Sequence, residues 1–215
     1  MPIQTIFLQM SKGFLETLSI FGLTLLFSIP LGWLVYFGRK SKIAVIRSVV
    51  KAYISIMRGT PLMLQLIAWY FGPYYLFGAS LTGYKFTALI LGFSINYAAY
   101  FAEIYRSGME AMDIGQYEAA SILGYTKAQT FLKIVLPQVV KVILPAVTNE
   151  IITLVKDTSL AYSISYVEMF ALAKQIAAAK TTFIPLLVAG LFYYVFNFIV
   201  AEGMGLVVKK LQYYR

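Results

Sequence analysis

A long stretch without charge limits the folds that are open to this chain. Residues 17–38 contain no Asp, Glu, Lys or Arg, and a helix needs roughly 20 apolar residues to cross the hydrocarbon core of a bilayer. Of the whole chain, 60% is hydrophobic and only 13% is charged, against about 25% charged residues in a typical soluble domain. A soluble protein of this length could not bury so much apolar surface. The sequence therefore predicts an all-α integral membrane protein, with residues 1–215 as a single domain.

The residue types that are missing exclude several kinds of site. The chain has no Cys and no His, which excludes disulfides, thiolate metal sites and catalysis by a thiol or an imidazole. We expect no metal site. The net charge of +9 would suit a nucleic-acid partner, but membrane proteins also concentrate Lys and Arg in their cytoplasmic loops. The positions of the basic residues favour the second explanation, so we expect no nucleic-acid partner.

Charge-poor stretches alternate with polar loops in a way that predicts five membrane-spanning helices. The predicted spans are residues 17–38, 59–84 (ending near residue 73), 86–105, 142–160 and 183–200. The loop after the first span holds the densest group of basic residues, which are Arg39, Lys40, Lys42, Arg47, Lys51 and Arg58. Basic loops face the cytoplasm, so we predict an N-terminus outside and a C-terminus inside. Lys174 and Lys180 are exceptions, because this topology places them outside, in a stretch expected to form a short outer helix.

Two of the predicted spans carry polar residues on one helical face. The first set, spaced i, i+4, i+7, is Asn96, Tyr100 and Glu103. The second set, spaced i, i+3, i+7, is Glu150, Thr153 and Asp157. Residues at these spacings share one side of a helix. An ionisable side chain at membrane depth costs on the order of 2.5 kcal/mol or more, so it should face protein or water. The two sets predict a polar path between two helices, with these six residues binding the substrate.

Simpler roles remain open for most of these residues. Glu103 could pair with Arg106 at i+3, Asn96 could bond a neighbouring helix, and Asp157 could reach the outer water. Glu150 is the hardest to explain in this way, because it should lie near the middle of its span with no basic residue beside it.

A polar segment at residues 106–140 interrupts the apolar chain and contains the run EAASILGYTKAQTFLKIVLPQ. It is too charged to cross a membrane, but its Ala, Leu, Lys and Gln favour helix, and Gly124-Tyr125 predicts a turn between two short helices. The small residues Ala119, Ala120 and Gly124 offer a surface that another protein can approach closely. The alternative is an amphipathic connector that lies on the membrane.

The pattern of this segment resembles the EAA motif of ABC-importer permeases. It holds Glu118-Ala119-Ala120, then Gly124 after three residues, and it ends with Ile134, one residue, and Leu136-Pro137. Three further stretches are similar to the polar amino-acid branch of that family: Arg58-Gly59-Thr60-Pro61, the run NYAAYFAEIYRSG from residue 96, and Lys156-Asp157-Thr158-Ser159-Leu160. The resemblance covers roughly residues 15–200.

The resemblance implies a transporter subunit of a bacterial-type inner cell membrane that is not itself an enzyme. A cytoplasmic coupling helix between the third and fourth spans, within about residues 108–138, would sit in a groove of a separate ATP-binding subunit. The coupling residues would be Glu118, Ala119, Ala120, Gly124, Leu136 and Pro137. The expected partners are two ATP-binding cassette subunits, an extracytoplasmic solute-binding protein and a second permease chain, with a homodimer favoured over a heterodimer. The chain would bind no cofactor, because it has no G-x-x-x-x-G-K-[ST] loop and ATP and Mg²⁺ would belong to the partner.

These features together predict ATP-driven uptake of a polar amino acid. Three acidic residues and one Lys at membrane depth favour a cationic substrate such as arginine, lysine or histidine, while a neutral polar amino acid remains open. An ion-coupled secondary transporter would explain the intramembrane carboxylates, but it explains neither the EAA segment nor the lack of an obvious internal repeat. A non-transporting membrane scaffold would leave Glu150 unexplained.

Overall fold

The computed structural model describes residues 3–211, and the regular structure in that range is entirely helical. The α-helices are α1 Ile3–Arg39, α2 Ala44–Gly59, α3 Leu62–Phe77, α4 Lys85–Glu110, α5 Ile114–Ile122, α6 Lys127–Gln129, α7 Leu136–Asp157, α8 Met169–Lys180 and α9 Ile184–Leu211. A π-helical segment, Thr130–Val135, joins α6 to α7, and a 3-10 segment, Thr158–Ile164, follows α7. The prediction of an all-α protein is confirmed for the described residues.

Four helical segments within residues 3–211 are long and apolar enough to cross a membrane. They are Gln4–Arg39, Lys85–Glu110, Lys127–Ile164 and Ile184–Leu211, and each overlaps one predicted span almost completely. The remaining predicted span corresponds to α3, which has only 16 residues because Pro61 precedes it and Gly78 ends it in the left-handed conformation, with φ of 65°. A helix of that length rises about 24 Å, which is less than the roughly 30 Å of hydrocarbon.

The long helices α1 and α4 lie side by side and run in the same direction. In the N-terminal half of α1, Glu16 accepts a hydrogen bond of 2.5 Å from Tyr166, and the ring of Tyr166 lies 5.7 Å from that of Phe86 in the first turn of α4. At the other end, Arg39 of α1 contacts Glu103 of α4. The chain therefore has to return along the length of α1 before α4 begins, and α2 and α3 together make that return.

The centre of the bundle is α4, which packs against α1, α2, α3 and α7. Glycines permit the closest of these contacts. A Cβ atom on Gly32 would lie 2.8 Å from the Cβ of Phe101, and one on Gly108 would lie 2.1 Å from Cγ2 of Ile143. The second contact joins α4 to α7, so the two helices that carry the predicted polar stripes are direct neighbours.

Two buried amide side chains hold the break between α2 and α3. Helix ends leave backbone carbonyls without a partner, and Pro61 has no N–H to donate. Gln65 Nε2 donates to the carbonyls of Met57 (3.0 Å) and Thr60 (3.2 Å). Asn96 Nδ2 donates to the same Met57 carbonyl (3.0 Å) and to Gln65 Oε1 (2.9 Å). The amides thus satisfy the broken helix end and fix it against α4.

A buried carboxylate joins α1, α8 and α9. Glu168 is fully buried, and it caps α8 by accepting hydrogen bonds from the backbone N–H groups of Phe170 (2.8 Å) and Ala171 (2.7 Å). Thr17 of α1 (3.3 Å) and Tyr193 of α9 (2.9 Å) also donate to it. Burial raises the pKa of the Glu168 carboxyl, although these hydrogen bonds oppose the shift. Glu168 therefore anchors the short helix that was expected in the stretch containing Lys174 and Lys180.

Candidate functional site

A polar cavity with a volume of about 280 Å³ lies between α2, α4 and α7. Its charged and aromatic lining residues are Arg58, Tyr100, Glu103, Arg106 and Glu150, and its other lining residues are Ile104, Ser107, Gly108, Val142, Ile143 and Ala146. A neighbouring cavity of about 640 Å³ shares Arg58, Tyr100 and Glu103 with it. The structure therefore brings three of the six predicted substrate residues, Tyr100, Glu103 and Glu150, to one cavity.

Three guanidinium groups surround Glu103. Arg39 of α1 contacts its Oε1, while Oε2 lies 3.0 Å from Arg106 Nη2 and 3.7 Å from Arg58 Nη1. Only 11% of the Glu103 side chain is exposed. The pairing with Arg106 that the sequence left open is present, and arginines from two other helices join it. Glu103 thus ties α1, α2 and α4 together at the cavity, and direct contact between Glu103 and substrate stays a prediction.

Arg58 is the cavity residue that the sequence analysis did not select. Its Cζ lies 5.4 Å from the centre of the Tyr100 ring, within the range of a cation–π interaction. It stands at the broken end of α2, which Asn96 and Gln65 hold against α4. In the sequence Arg58 is one of six basic residues in a loop, and spacing along one helix does not reveal contacts between helices. The available signals were its place before the helix-breaking Gly59-Thr60-Pro61 and the resemblance of this stretch to the polar amino-acid permeases.

Glu150 lines the polar cavity from α7 and is half-buried. Its carboxylate forms no hydrogen bond or ion pair with any side chain in residues 3–211. No basic residue lies beside Glu150 on α7, as expected from the sequence. Arg58 of α2, however, lines the same cavity.

The other three predicted substrate residues lie outside the polar cavity. Thr153 is exposed, and its hydroxyl donates to the Asn149 carbonyl of its own helix over 2.9 Å. Asp157 accepts a hydrogen bond of 2.8 Å from the Tyr97 hydroxyl of α4. Asn96 is buried and bonded to α2 and α3, so its geometry favours the alternative of a bond between helices. Substrate contacts by these residues stay predictions.

The predicted coupling segment folds as one short helix, α5, a tight turn, and the start of a helical segment that continues into α7, so the prediction of a second short helix is wrong. The carboxylate of Asp113 accepts a hydrogen bond of 2.7 Å from the N–H of Gly115 and so caps α5. After α5, Gly124 adopts a φ of +77°, and the N–H of Tyr125 donates to the carbonyl of Ala120. This is the hydrogen bond of a Schellman motif, which commonly ends a helix at Gly. The predicted turn at Gly124-Tyr125 is confirmed.

The six predicted coupling residues differ in exposure. Glu118, Ala119 and Gly124 are exposed around the turn. In the first turn of α7, Pro137 is exposed and Leu136 is half-buried. Ala120 is only 1% exposed, and α5 packs on the π-helical segment of its own chain. The prediction that Ala120 offers its small side chain to another protein is therefore wrong for this conformation, because the side chain packs internally.

Exposed apolar side chains mark a surface of the coupling segment that sequence analysis did not identify. Ile114, Ile122 and Leu123 are 72%, 87% and 72% exposed. Large apolar groups exposed among polar residues are typical of a surface that another protein covers. Their identity was visible in the sequence, but only the turn at Gly124 shows that Ile122 and Leu123 point away from the chain. We call these three residues the apolar tip.

One protein family matches most of the chain. The family described as the binding-protein-dependent transport system inner membrane component matches residues 28–213. The arginine transport system permease protein ArtQ of Bacillus subtilis (strain 168) is 40% identical over 161 residues, which cover 74% of this chain and 73% of ArtQ. The L-cystine transport system permease protein TcyB of the same organism is 33% identical over 208 residues, which cover 95% of this chain and 87% of TcyB.

A solved structure has the same fold over nearly the whole chain. A crystal structure of an amino acid ABC transporter with histidines contains a chain that is 32% identical and superposes with a TM-score of 0.85. The match covers 94% of each chain.

Proposed function

Because the chain belongs to the family of binding-protein-dependent transport system inner membrane components, we propose that it forms the substrate pathway of an ATP-driven importer for polar amino acids. It is an amino-acid ABC transporter permease subunit of the inner membrane, and it has no ATPase activity of its own. In the proposed complex a separate ATP-binding subunit holds ATP and Mg²⁺ and supplies the energy.

The observation that carries the proposal is the charge pattern of the polar cavity. An amino acid carries a carboxylate, which can pair with the guanidinium of Arg58, and a cationic amino acid also carries a charged side chain, which can pair with the carboxylate of Glu150; both residues lie in the cavity lining. Hydrogen bonds between ionised partners are roughly twice as strong as those between neutral ones. The volume of about 280 Å³ is near the lower end for small-molecule sites, roughly 300–1,000 Å³. These features suit a small zwitterion better than a large or apolar ligand.

We further propose that the substrate has a cationic side chain. Glu150 has no hydrogen-bonding partner within residues 3–211, so its carboxylate is available to a cationic group of the ligand. The names of the relatives do not choose between substrates, since one is an arginine permease and the other an L-cystine permease. The preference for arginine, lysine or histidine therefore depends on Glu150.

The proposed topology has five crossings, with the N-terminus outside and the C-terminus inside. The parallel run of α1 and α4 supports it, because the chain must cross back between them. Pro61 divides this return into α2 and α3, which explains why α3 alone is only 16 residues long. The basic loop after α1 gives the orientation, since such loops face the cytoplasm. This orientation places α5 and the apolar tip on the cytoplasmic side.

Coupling and assembly complete the proposal. The apolar tip and the exposed Glu118 would dock on the ATP-binding subunit, so that its closure on ATP moves α4 and α7 through the coupling segment. A second permease chain, most simply a copy of this one, would cover the polar cavity, whose residues Tyr100, Arg106 and Glu150 are only half-buried in the single chain. A solute-binding protein outside the membrane would deliver the amino acid.

Reconstitution into liposomes tests this function. With the ATP-binding subunit and the solute-binding protein present, we expect uptake of labelled arginine that requires ATP and is abolished when the ATP-binding subunit is left out. A secondary transporter would instead take up substrate on an imposed proton or sodium gradient without that subunit. A membrane scaffold would take up nothing under either condition, and either of these results would overturn the proposal.

A further inference from the structure

The corner between α1 and α2 concentrates positive charge, and only Lys51 among its basic residues lines the cavity next to the candidate site. Four basic residues, Lys40, Lys42, Arg47 and Lys51, lie between residues 40 and 51, and no Asp or Glu occurs from residue 17 to residue 102. We call residues 40–51 the basic corner.

The charges of the basic corner have no acidic partner within residues 3–211. Lys40 lies over the ring of Tyr36 at 5.6 Å, and Arg47 donates to the Ser41 carbonyl over 3.2 Å. Lys42 and Lys51 are exposed and take part in no ion pair. The neighbouring Arg39 and Arg58 differ, because both are paired with Glu103. The corner therefore presents charge that is free to meet an anion.

Large apolar side chains stand among these charges. Four of them are between 43% and 71% exposed, and they are Ile43, Val45, Ile46 and Val49. A helix with exposed apolar residues and Lys or Arg close by is the pattern of a segment at the boundary between lipid headgroups and acyl chains. A surface that contacts only water would not require four large exposed apolar side chains.

The helix that carries the basic corner is fixed to the bundle on its other side. Tyr53 donates a hydrogen bond of 2.5 Å from its hydroxyl to the Ile95 carbonyl of α4, and Ile54 is buried. The corner is thus a surface held in place, with one face packed and the other free.

We propose that the basic corner binds the headgroups of anionic phospholipids. The Lys and Arg side chains meet the phosphate groups, and the four apolar side chains enter the adjoining acyl region. The charge of the corner is complementary to an anionic lipid leaflet, which attracts basic segments next to membrane-spanning helices. This site goes beyond the proposed transport function and does not depend on which amino acid is carried.

The test compares two double variants of the chain in its purified complex. Lys40→Gln/Lys42→Gln removes two charges of the basic corner that have no acidic partner within residues 3–211, and Lys209→Gln/Lys210→Gln removes two exposed charges at the end of α9. Equilibrium binding of labelled phosphatidylglycerol in detergent is measured, with phosphatidylcholine as the neutral probe. Each Lys near an anionic surface contributes roughly a fivefold change in affinity. We therefore expect the corner variant to bind phosphatidylglycerol up to about thirtyfold more weakly and the α9 variant to change by less than about threefold.

Three results would overturn this proposal. Equal loss in both variants would show a general effect of charge instead of a site. Unchanged binding of phosphatidylglycerol by the corner variant, with the complex intact on gel filtration, would show that the basic corner is not an anionic-lipid site. Loss of the ATP-binding subunit from the corner variant, with lipid binding retained, would assign the surface to that protein.

Discussion

Glu103 has a different role in the structure from the one that its sequence position suggests. The sequence places it on a polar stripe, as if it faced a ligand. In the structure three arginines from three helices already contact its carboxylate, so a ligand would have to displace one of them. Because the side chain is only 11% exposed, little water can replace a lost partner. We expect Glu103 to hold the helices that form the cavity and not to set substrate affinity.

The change Glu103→Gln tests this role, with Glu110→Gln as the matched control. Both acids contact Arg106, but 54% of the Glu110 side chain is exposed and it pairs with no other arginine within residues 3–211. Buried charged partners contribute about 1.5–3 kcal/mol and exposed pairs up to about 1 kcal/mol. We expect Glu103→Gln to lower the melting temperature of the complex by several degrees, because 1 kcal/mol corresponds to roughly 2–4 °C at this chain length. The control should change little, and arginine affinity should stay within about threefold in both.

A large loss of arginine affinity in Glu103→Gln, without any loss of thermal stability, would contradict the structural role. It would instead support the sequence prediction that Glu103 contacts the substrate.

Glu150 is the residue on which the cationic substrate depends. Glu150→Gln keeps the size and the hydrogen-bonding capacity of the side chain but removes the charge. A hydrogen bond to a charged group contributes about 1.5–3 kcal/mol, so arginine should bind about tenfold to hundredfold more weakly to the purified complex. Glutamine should lose far less affinity, because its side-chain amide can still bond to the introduced amide. Unchanged arginine affinity in an intact complex would remove Glu150 from the site.

Helical spacing predicted part of the candidate site and missed the part that lies on other helices. It grouped Tyr100 with Glu103 and selected Glu150, and these three residues line one cavity in the structure, because residues at these spacings share a face of one helix. The spacing could not reveal Arg58, whose position depends on the break at Pro61 and on the amide of Asn96. It also could not separate Asn96 from the site residues, since a polar residue that bonds a neighbouring helix has the same place in the pattern as one that faces a ligand.

At the scale of the helices, apolar stretches located every long helix, but their ends depend on local chemistry. The first helix begins at Ile3, well before the predicted residue 17, because Lys12 and Glu16 are tolerated where a helix leaves the apolar region. The third helix ends at Phe77, since Gly78 takes up a left-handed conformation. The turn after α5 was predictable from Gly124 alone. The packing of Ala120 inside the chain was not, because it depends on the π-helical segment that follows.

The turn at Gly124 gives a test of coupling that separates conformation from bulk. A residue with a Cβ in the left-handed region costs about 1–2 kcal/mol, whereas Asn adopts it more readily. Since a Cβ at Gly124 would meet nothing within 4 Å in the single chain, any further penalty from size must come from a partner. We expect Gly124→Leu to lose the ATP-binding subunit on copurification and to lose transport. Gly124→Ala should retain a substantial part of both, whereas Gly124→Asn, which tolerates the left-handed conformation but has a side chain of nearly the same shape as Leu, should lose most of both.

All three Gly124 variants should insert into the membrane normally, which is the control for this series. Normal copurification and transport by Gly124→Leu would show that no partner approaches this turn. Equal loss in the Ala and Leu variants would show that the conformation of the turn matters and that close approach does not.

The whole molecule depends on a topology that neither helix length nor hydropathy settles alone. By length only four segments within residues 3–211 qualify as spans, and four crossings would put the two ends of the chain on the same side. The parallel run of α1 and α4 requires a crossing between them, and this crossing also brings the coupling segment to the side of the basic corner. A pattern along the chain could not supply this constraint, because the direction of one helix relative to another is a property of the packed bundle.

Cysteine labelling of intact cells tests this topology, since the natural chain contains no Cys. Five crossings place Ser80 and Lys180 outside and Ser41 inside, so an impermeant thiol reagent should label Ser80→Cys and Lys180→Cys from outside. Ser41→Cys should react only after permeabilisation, which also shows that its half-buried position does not by itself block the reagent.

The two outer sites test different crossings. Ser80 follows α3, so its protection would mean that this 16-residue helix does not cross, and the coupling segment would then lie on the wrong side for a cytoplasmic ATP-binding subunit. Lys180 ends α8, so its protection alone would move α8 to the inside and leave the return through α3 intact.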